Sequence, residues 1–236
     1  MRENRRVWYP SIFFVYNNKR KEDFMLNKIT YDNVVKGLVA ISLLFMAFGT
    51  NAAETSGKVG IASDNIFRGV SMSDGFGYSG QVNLGLDNGI FAGASVMSMD
   101  ENSDLMTTAL VGYGFDLGGV DLTVAYVDRS FQGIDIEGWE EVNVYADFDL
   151  FGVYYSKGLD DAGDFYKVES SVLKVVDVAY GDWDIAGSFI EVSKSFDLGA
   201  SGSVKVGFID HDNNDEDLLD KVQDVDNFYV GYSYNF

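Results

Sequence analysis

The amino-acid sequence predicts an all-β fold, an antiparallel up-and-down transmembrane β-barrel of twelve strands, and three observations carry that expectation. Apolar and polar residues alternate along nearly every segment from Ser56 onward, which is the side-chain period of a strand. The connections between these segments alternate between short turns and long polar loops, as in barrels that cross the bacterial outer membrane. A short apolar run behind a basic flank precedes the whole pattern, as a secretory signal does.

In chain order, residues 1–24 show no clear period and stand upstream of a second start-like methionine, Met25, so they read as a non-native leader or upstream extension. After Met25, Lys28 and Lys36 precede the apolar run Gly37 to Phe48, and Thr50, Asn51 and Ala52 supply small residues behind it. That run is shorter than the roughly 20 residues a membrane-spanning helix needs. Residues 25–53 are therefore expected to be a signal peptide, cleaved after Ala52 or Ala53, and residues 54–236 the barrel.

Charge and composition close off several function classes. The chain of 236 residues carries a net charge of -20, and without residues 1–53 it keeps 9 basic and 33 acidic residues, a net of -24. Such a surface repels a phosphate backbone, so nucleic acid is not an expected partner. With no cysteine there is no disulfide framework, Cys-based zinc site or thiol nucleophile.

The expected strands are 56–68, 78–87, 90–98, 105–115, 120–129, 139–149, 151–157, 164–171, 173–180, 185–197, 201–209 and 226–236. Twelve is the count, with ten as the fallback, because the division near Ser170 and Ser171 is the least marked. Val142, Val144, Ala146, Phe148 and Leu150 share one face of their segment, while Asn143, Tyr145, Asp147 and Asp149 share the other. Val120, Leu122, Val124 and Tyr126 form a similar apolar face, as do Leu105, Ala109, Val111, Tyr113 and Phe115. Asp87-Asn88-Gly89 is a hairpin turn signal, and a Phe-Asp-Leu element recurs at Phe115, Phe148 and Phe196 as one turn design used three times. A soluble β-sandwich would show the same alternation turned inside out. Tyr78, Tyr113, Tyr126, Tyr155, Tyr180, Tyr232 and Tyr234 favour the membrane, because Tyr and Trp collect at its two interfaces.

The last strand alternates Phe228, Tyr232, Tyr234 and Phe236 with small polar residues. It must pair with the first strand before lipid can accept its backbone. A terminal aromatic alternation ending in Phe resembles the assembly signal that outer-membrane barrels present to the barrel-assembly machinery, and these four residues are assigned that role.

Parity places Lys58, Arg68, Gln81, Asn83, Asp121, Asn143, Asp147, Lys167, Glu169, Asp177, Glu191 and Lys205 on the lumen side. Mixed charges there either line a wet channel or pair and plug it, since about eight strands fill with side chains and sixteen leave a pore. Arg68 either anchors the first extracellular loop through a salt bridge or contacts solute. In the acidic segment from Asp210, the residues Asp210, Asp212 and Asp215 are weak candidates for a divalent cation, but Asp215 and Lys221 stand where an EF-hand needs Gly and Glu. His211, the one histidine, lies in that segment, which is read as a loop with no Ser nearby. With no nucleophile elbow, zinc-protease or phosphate-loop element, an enzyme is not expected, and neither is a cofactor.

One stretch resembles a family. Ser63, Asp64, Phe67, Arg68, Gly69 and Ser71 match in order the Ser-Asp-x-x-Phe-Arg-Gly-x-Ser element of the TorF-type porin family of proteobacterial outer-membrane proteins. The resemblance covers residues 56–100 most clearly, is looser over 100–160 and returns at the C-terminal strand. It implies a barrel in the cell outer membrane, in contact with outer-membrane lipid, passing small hydrophilic solutes by passive diffusion. The acidic loops add an expected cation preference.

Overall fold

The structure, a computed structural model, describes residues 13–14, 53–73, 75–99, 104–133, 138–159, 162–172, 175–199, 201–212 and 227–236. The expected leader apart from residues 13–14, the expected signal peptide up to residue 52, Asp215 and the rest of the acidic segment beyond Asp212 lie outside the described residues.

Twelve strands close into one antiparallel barrel. They are β1 (Ala53–Ala62), β2 (Gly77–Leu86), β3 (Ile90–Met99), β4 (Asp104–Leu117), β5 (Val120–Gln132) and β6 (Trp139–Asp147), followed by β7 (Gly152–Gly158), β8 (Phe165–Val172), β9 (Val176–Trp183), β10 (Gly187–Asp197), β11 (Gly202–Asp212) and β12 (Asn227–Asn235). Every strand pairs with its sequence neighbours, and β12 pairs with β1 through Gly231↔Ala62 to Asn235↔Lys58. Phe236 finishes the seam: its amide donates to the Gly57 carbonyl at 3.0 Å and its carbonyl accepts from the Gly57 amide at 2.8 Å. Closure gives every strand two paired edges, which hydrocarbon requires.

The turns follow from local chemistry. Leu117 pairs with Val120 across Gly118 and Gly119, whose φ values of 67° and 96° make the two-residue primed turn that matches strand twist. Short connections of this kind sit at one end of the barrel, together with Phe236. The opposite end carries the connections 63–76, 100–103, 133–138, 159–164 and 213–226, and one tight turn at 184–186. The division near Ser171 holds, with β8 ending at Val172 and β9 starting at Val176.

The outside of the sheet is apolar. Val111, Val124, Val144, Val168, Ile190, Val192, Val206 and Val230 are all exposed on outward positions. Aromatic pairs flank them, Tyr113 with Phe115 (ring centroids 5.7 Å) and Phe148 with Phe151 (4.8 Å) toward the short turns, Tyr166 with Tyr180 (6.1 Å) and Phe208 with Phe228 (5.0 Å) toward the long loops. This is the lipid-facing band with its two aromatic girdles that a membrane barrel carries.

Two expectations need correction. The first strand, expected to run to Arg68, ends at Ala62, and residues 63–73 turn back into the lumen. Within them Asn65–Phe67 pairs with Val70–Ser71 as a small hairpin, and Phe13–Phe14 pairs alongside it through Phe13↔Ile66 and Phe14↔Asn65. His211 is not in a loop. β11 continues to Asp212, so His211 is buried inside the barrel opposite Phe189, while Asp210 and Asp212 are exposed on the outer face.

Candidate functional site

The site is the lumen, and the Ser-Asp-x-x-Phe-Arg-Gly-x-Ser element builds its most constrained part. Arg68 and Gly69, with φ of 52° and 87°, occupy the two left-handed positions of the primed turn at the hairpin's tip. Glycine takes that geometry freely, whereas an arginine there carries a strain of order 1 kcal/mol or more, which its surroundings must hold in place.

Those surroundings are a charge clamp lined with rings. Arg68 Nη2 reaches Glu141 Oε1 at 2.7 Å and donates to Oε2 at 2.8 Å and to Ser156 Oγ at 3.0 Å. From the barrel wall, Arg129 Nη2 donates to the same Glu141 Oε2 at 3.3 Å, and its Nη1 donates to Thr108 Oγ1 at 3.0 Å. The Arg68 guanidinium carbon also sits 5.1 Å from the Phe67 ring centroid, 4.7 Å from Phe165 and 5.1 Å from Trp183, so the buried cation lies against π faces. Glu141 and Ser156 are fully buried. One carboxylate is therefore shared by two arginines, one from the hairpin and one from the wall.

Around the clamp the lumen is packed. Met97, Met99, Met106, Tyr154, Phe165, Trp183, Phe189 and Ile209 point inward from β3, β4 and β7 to β11, and Phe67 and Val70 of the hairpin sit among them. The root of the hairpin is pinned to β3, where Asn65 Nδ2 donates to the Ser98 carbonyl and, at 2.9 Å, to Ser98 Oγ. Outside this half, at the long-loop rim, Asp164 accepts from Lys157 Nζ at 2.8 Å and from the Tyr155 hydroxyl at 2.8 Å. These partners, Lys157 first, hold its carboxyl below the usual carboxylate range.

Toward the short turns the lumen opens into a cavity of about 800 Å³, bounded by Phe67, Arg68 and Gly69 at the hairpin tip and reaching the turn at 149–151. Its wall pairs charges along and across strands: Lys167 donates to Glu169 at 2.8 Å and Lys205 to Glu191 at 2.5 Å, while the Tyr145 hydroxyl donates to Glu169 at 3.4 Å. Such a wall suits polar solutes and water, with neither sign dominating.

Of the sequence-assigned lumen residues, Lys58, Arg68, Gln81, Asn83, Asn143, Asp147, Lys167, Glu169, Asp177, Glu191 and Lys205 line this cavity. Asp121 does not line it. It stands in register between Asp116 and Asp147 and is exposed toward the short-turn rim. Arg68 reaches the lumen from the hairpin and not from the wall. Glu141 and Arg129 escape the sequence reading, although Glu141 shares a strand face with Asn143, and Arg129 shares one with Asp121. No group of three or more metal-ligating side chains occurs among the described residues, and Asp210 and Asp212 are not brought together with a third ligand there.

No family model matches the sequence, and no characterised protein matches it by sequence. By structure, the barrel is similar to the KdgM porin, with a TM-score of 0.50 at 13% identity over 78% of this chain and 99% of that one. Two mutants of the Rh. blastica porin align over the same shares with TM-scores of 0.35 and 0.34 at 13% and 12% identity. At 13% identity the likeness to the KdgM porin is one of fold: a closed, porin-like antiparallel barrel.

Proposed function

We propose that this chain is a porin-like barrel of the cell outer membrane through which small hydrophilic solutes diffuse passively. The observation that carries the reading is a closed sheet with an apolar exterior around a cavity of about 800 Å³ whose mixed wall carries paired charges such as Lys167 with Glu169 and Lys205 with Glu191. A soluble barrel would put the exposed valines inside, and a binding protein of this size would not need an aromatic girdle at each end. Membership of the TorF-type porin family belongs to this proposal and rests on the element at Ser63 to Ser71. So do the partners: outer-membrane lipid on the valine band, and assembly machinery reading Phe228, Tyr232, Tyr234 and Phe236. The reading of the chain as a channel and not an enzyme rests on the porin-like barrel fold.

The acidic balance of the chain, together with Asp116, Asp121, Asp147 and Asp149 toward the short-turn rim, supports a modest preference for cations at the mouths. A second reading, a barrel that does not conduct, is favoured by one observation: the hairpin fills the long-loop half of the lumen. Purified protein in planar bilayers decides between them. Discrete channel events, with a reversal potential displaced toward the cation side in a salt gradient, are expected. Silence at every potential, from wild type and from a variant lacking residues 64–73 that still shifts on heating in a denaturing gel, overturns the porin reading.

A further inference from the structure

We propose that the hairpin 63–73 is a releasable plug whose latch is Arg68. The inference rests on the porin reading and deepens it. Three features of the clamp point to a part made to leave.

The wall stays neutral without it. Arg129 and Glu141 both belong to the barrel, on β5 and β6, and bond each other at 3.3 Å, with Thr108 holding the arginine. In a simple buried ion pair, withdrawing one partner strands the other, and that stranded charge is the main cost of breaking it. Here the withdrawal of Arg68 leaves Glu141 paired. The arrangement with Arg68 in place instead buries two cations on one carboxylate, and the hairpin carries the surplus.

The hairpin is also self-contained. Asp64 accepts from the Ser71 hydroxyl at 2.6 Å and 2.7 Å and from the Ser73 hydroxyl at 3.2 Å, and the Asn65 amide donates to Ser73 Oγ at 2.6 Å. The Met72 amide closes on the Asn65 carbonyl at 2.6 Å. These bonds lie within the loop and move with it, so the segment can swing as one body.

Finally, apart from the backbone pairing of Asn65 and Ile66 with Phe13–Phe14, which belong to the segment expected to precede the signal peptide, its attachments divide into a root and a tip. Asn65 is tied to Ser98 on β3, and Asp64 accepts from Asn227 at the start of β12 at 3.3 Å, so the root is fixed beside the strand it leaves. At the tip, Arg68 supplies the side-chain hydrogen bonds to the wall, at Glu141 and Ser156, and rests on Phe165 and Trp183. The cavity ends on that same tip, at Phe67, Arg68 and Gly69. Release of Arg68, together with the packing of Phe67 and Val70 on the wall, with the root as pivot, joins the cavity to the long-loop end.

The test is single-channel recording on wild type, Arg68→Ala, Arg68→Gln, Arg68→Lys and the variant lacking residues 64–73, each first shown to be folded by its heat-dependent gel shift. Wild type is expected to open rarely. Arg68→Ala and Arg68→Gln should raise the ratio of open to closed time by about tenfold or more, the ratio that loss of a hydrogen bond between charged groups implies. Arg68→Lys, which keeps the charge but not the fork, should fall between. The loop-deleted barrel should stay open. If both neutral variants open no more than wild type while the loop-deleted barrel conducts, the latch is wrong and the porin reading stands. If no variant conducts, both fail.

Discussion

The two halves of the lumen are built on the same twelve strands, yet one is packed and the other hollow. Toward the long loops the inward positions hold Met97, Met106, Phe165, Trp183, Phe189 and Ile209, closed over the Arg68 hairpin. Toward the short turns they hold Gln81, Asn83, Lys167, Glu169, Glu191, Ser195, Ser203 and Lys205, and a cavity remains. Strand number explains why an extra element is needed: about eight strands can be filled by wall side chains alone, and twelve stand between that and an open pore. Where a loop folds inward, large apolar wall residues become worth burying against it. Where none does, the wall meets water and its charges pair sideways. The sheet sets the diameter, and a single loop decides which half is solid.

The sharpest way to break this contrast is to strip the clamp of its shared carboxylate. Glu141→Gln leaves Arg68 and Arg129 buried together without a counter-charge, and loss of one partner from a buried ionic cluster costs about 3–5 kcal/mol. Arg68→Ala should cost far less, because Arg129 still neutralises Glu141. Urea unfolding of the barrel in lipid vesicles, followed by tryptophan fluorescence, measures both, since Trp139 and Trp183 pack together at the clamp with ring centroids 5.9 Å apart. Equal losses for the two variants would show that the wall pair does not stand alone.

The next contrast is between the faces of one strand. Val192 and Ser195 both lie on β10, Val192 outward in the apolar band and Ser195 on the cavity wall. Val192→Arg should lower stability by about 2–4 kcal/mol, as a cation on the lipid face near mid-bilayer does, and Ser195→Arg by no more than about 1 kcal/mol. The same vesicle titration reads both, and a reversed order would sink the assignment of the outer face to lipid.

How much of this is legible in the sequence depends on which face a residue is read from. Apart from the end of the first, the strands emerge to within a few residues because the outer face repeats apolar residues at every second position along most of each strand. Val142, Val144 and Ala146 keep that rhythm, and so do Val204, Val206 and Phe208. The lumen face is uniform in neither half: Phe91, Leu110, Ala125 and Val127 cluster on inward positions of β3, β4 and β5, and the packed half is apolar. Phe165 and Met97 point inward, and Phe165 is followed by the outward Tyr166, so polarity gives no alternation there. The hairpin is lost for a related reason. Ile66, Phe67 and Val70 look like a continuing strand, and their apolar character reflects burial against Trp183 and Phe189, contacts that exist only once the barrel has closed. Gly69 is the local turn signal. Glu141 and Arg129 sit on faces read as polar, but nothing in spacing tells that both would meet a loop more than 60 residues away in the chain.

The smallest expected effect has the opposite sign from the largest. At the short-turn end Asp116, Asp121 and Asp147 stand directly opposite one another across β4, β5 and β6, and like charges in that relation are destabilising. Asp121 has a carboxylate on each side, where Glu141 at the other end has an arginine on each side. The same chemical change, acid to amide, should therefore help at one end and harm at the other. Asp121→Asn is expected to raise barrel stability by up to about 1 kcal/mol at low salt. Its gain should fade toward zero in about 1 M salt, where the screening length falls to about 3 Å, while the loss from the buried Glu141→Gln persists. A salt-independent gain at Asp121 would mean that strand propensity and not repulsion sets its effect, and that the rim of the hollow half is not the electrostatic counterpart of the clamp.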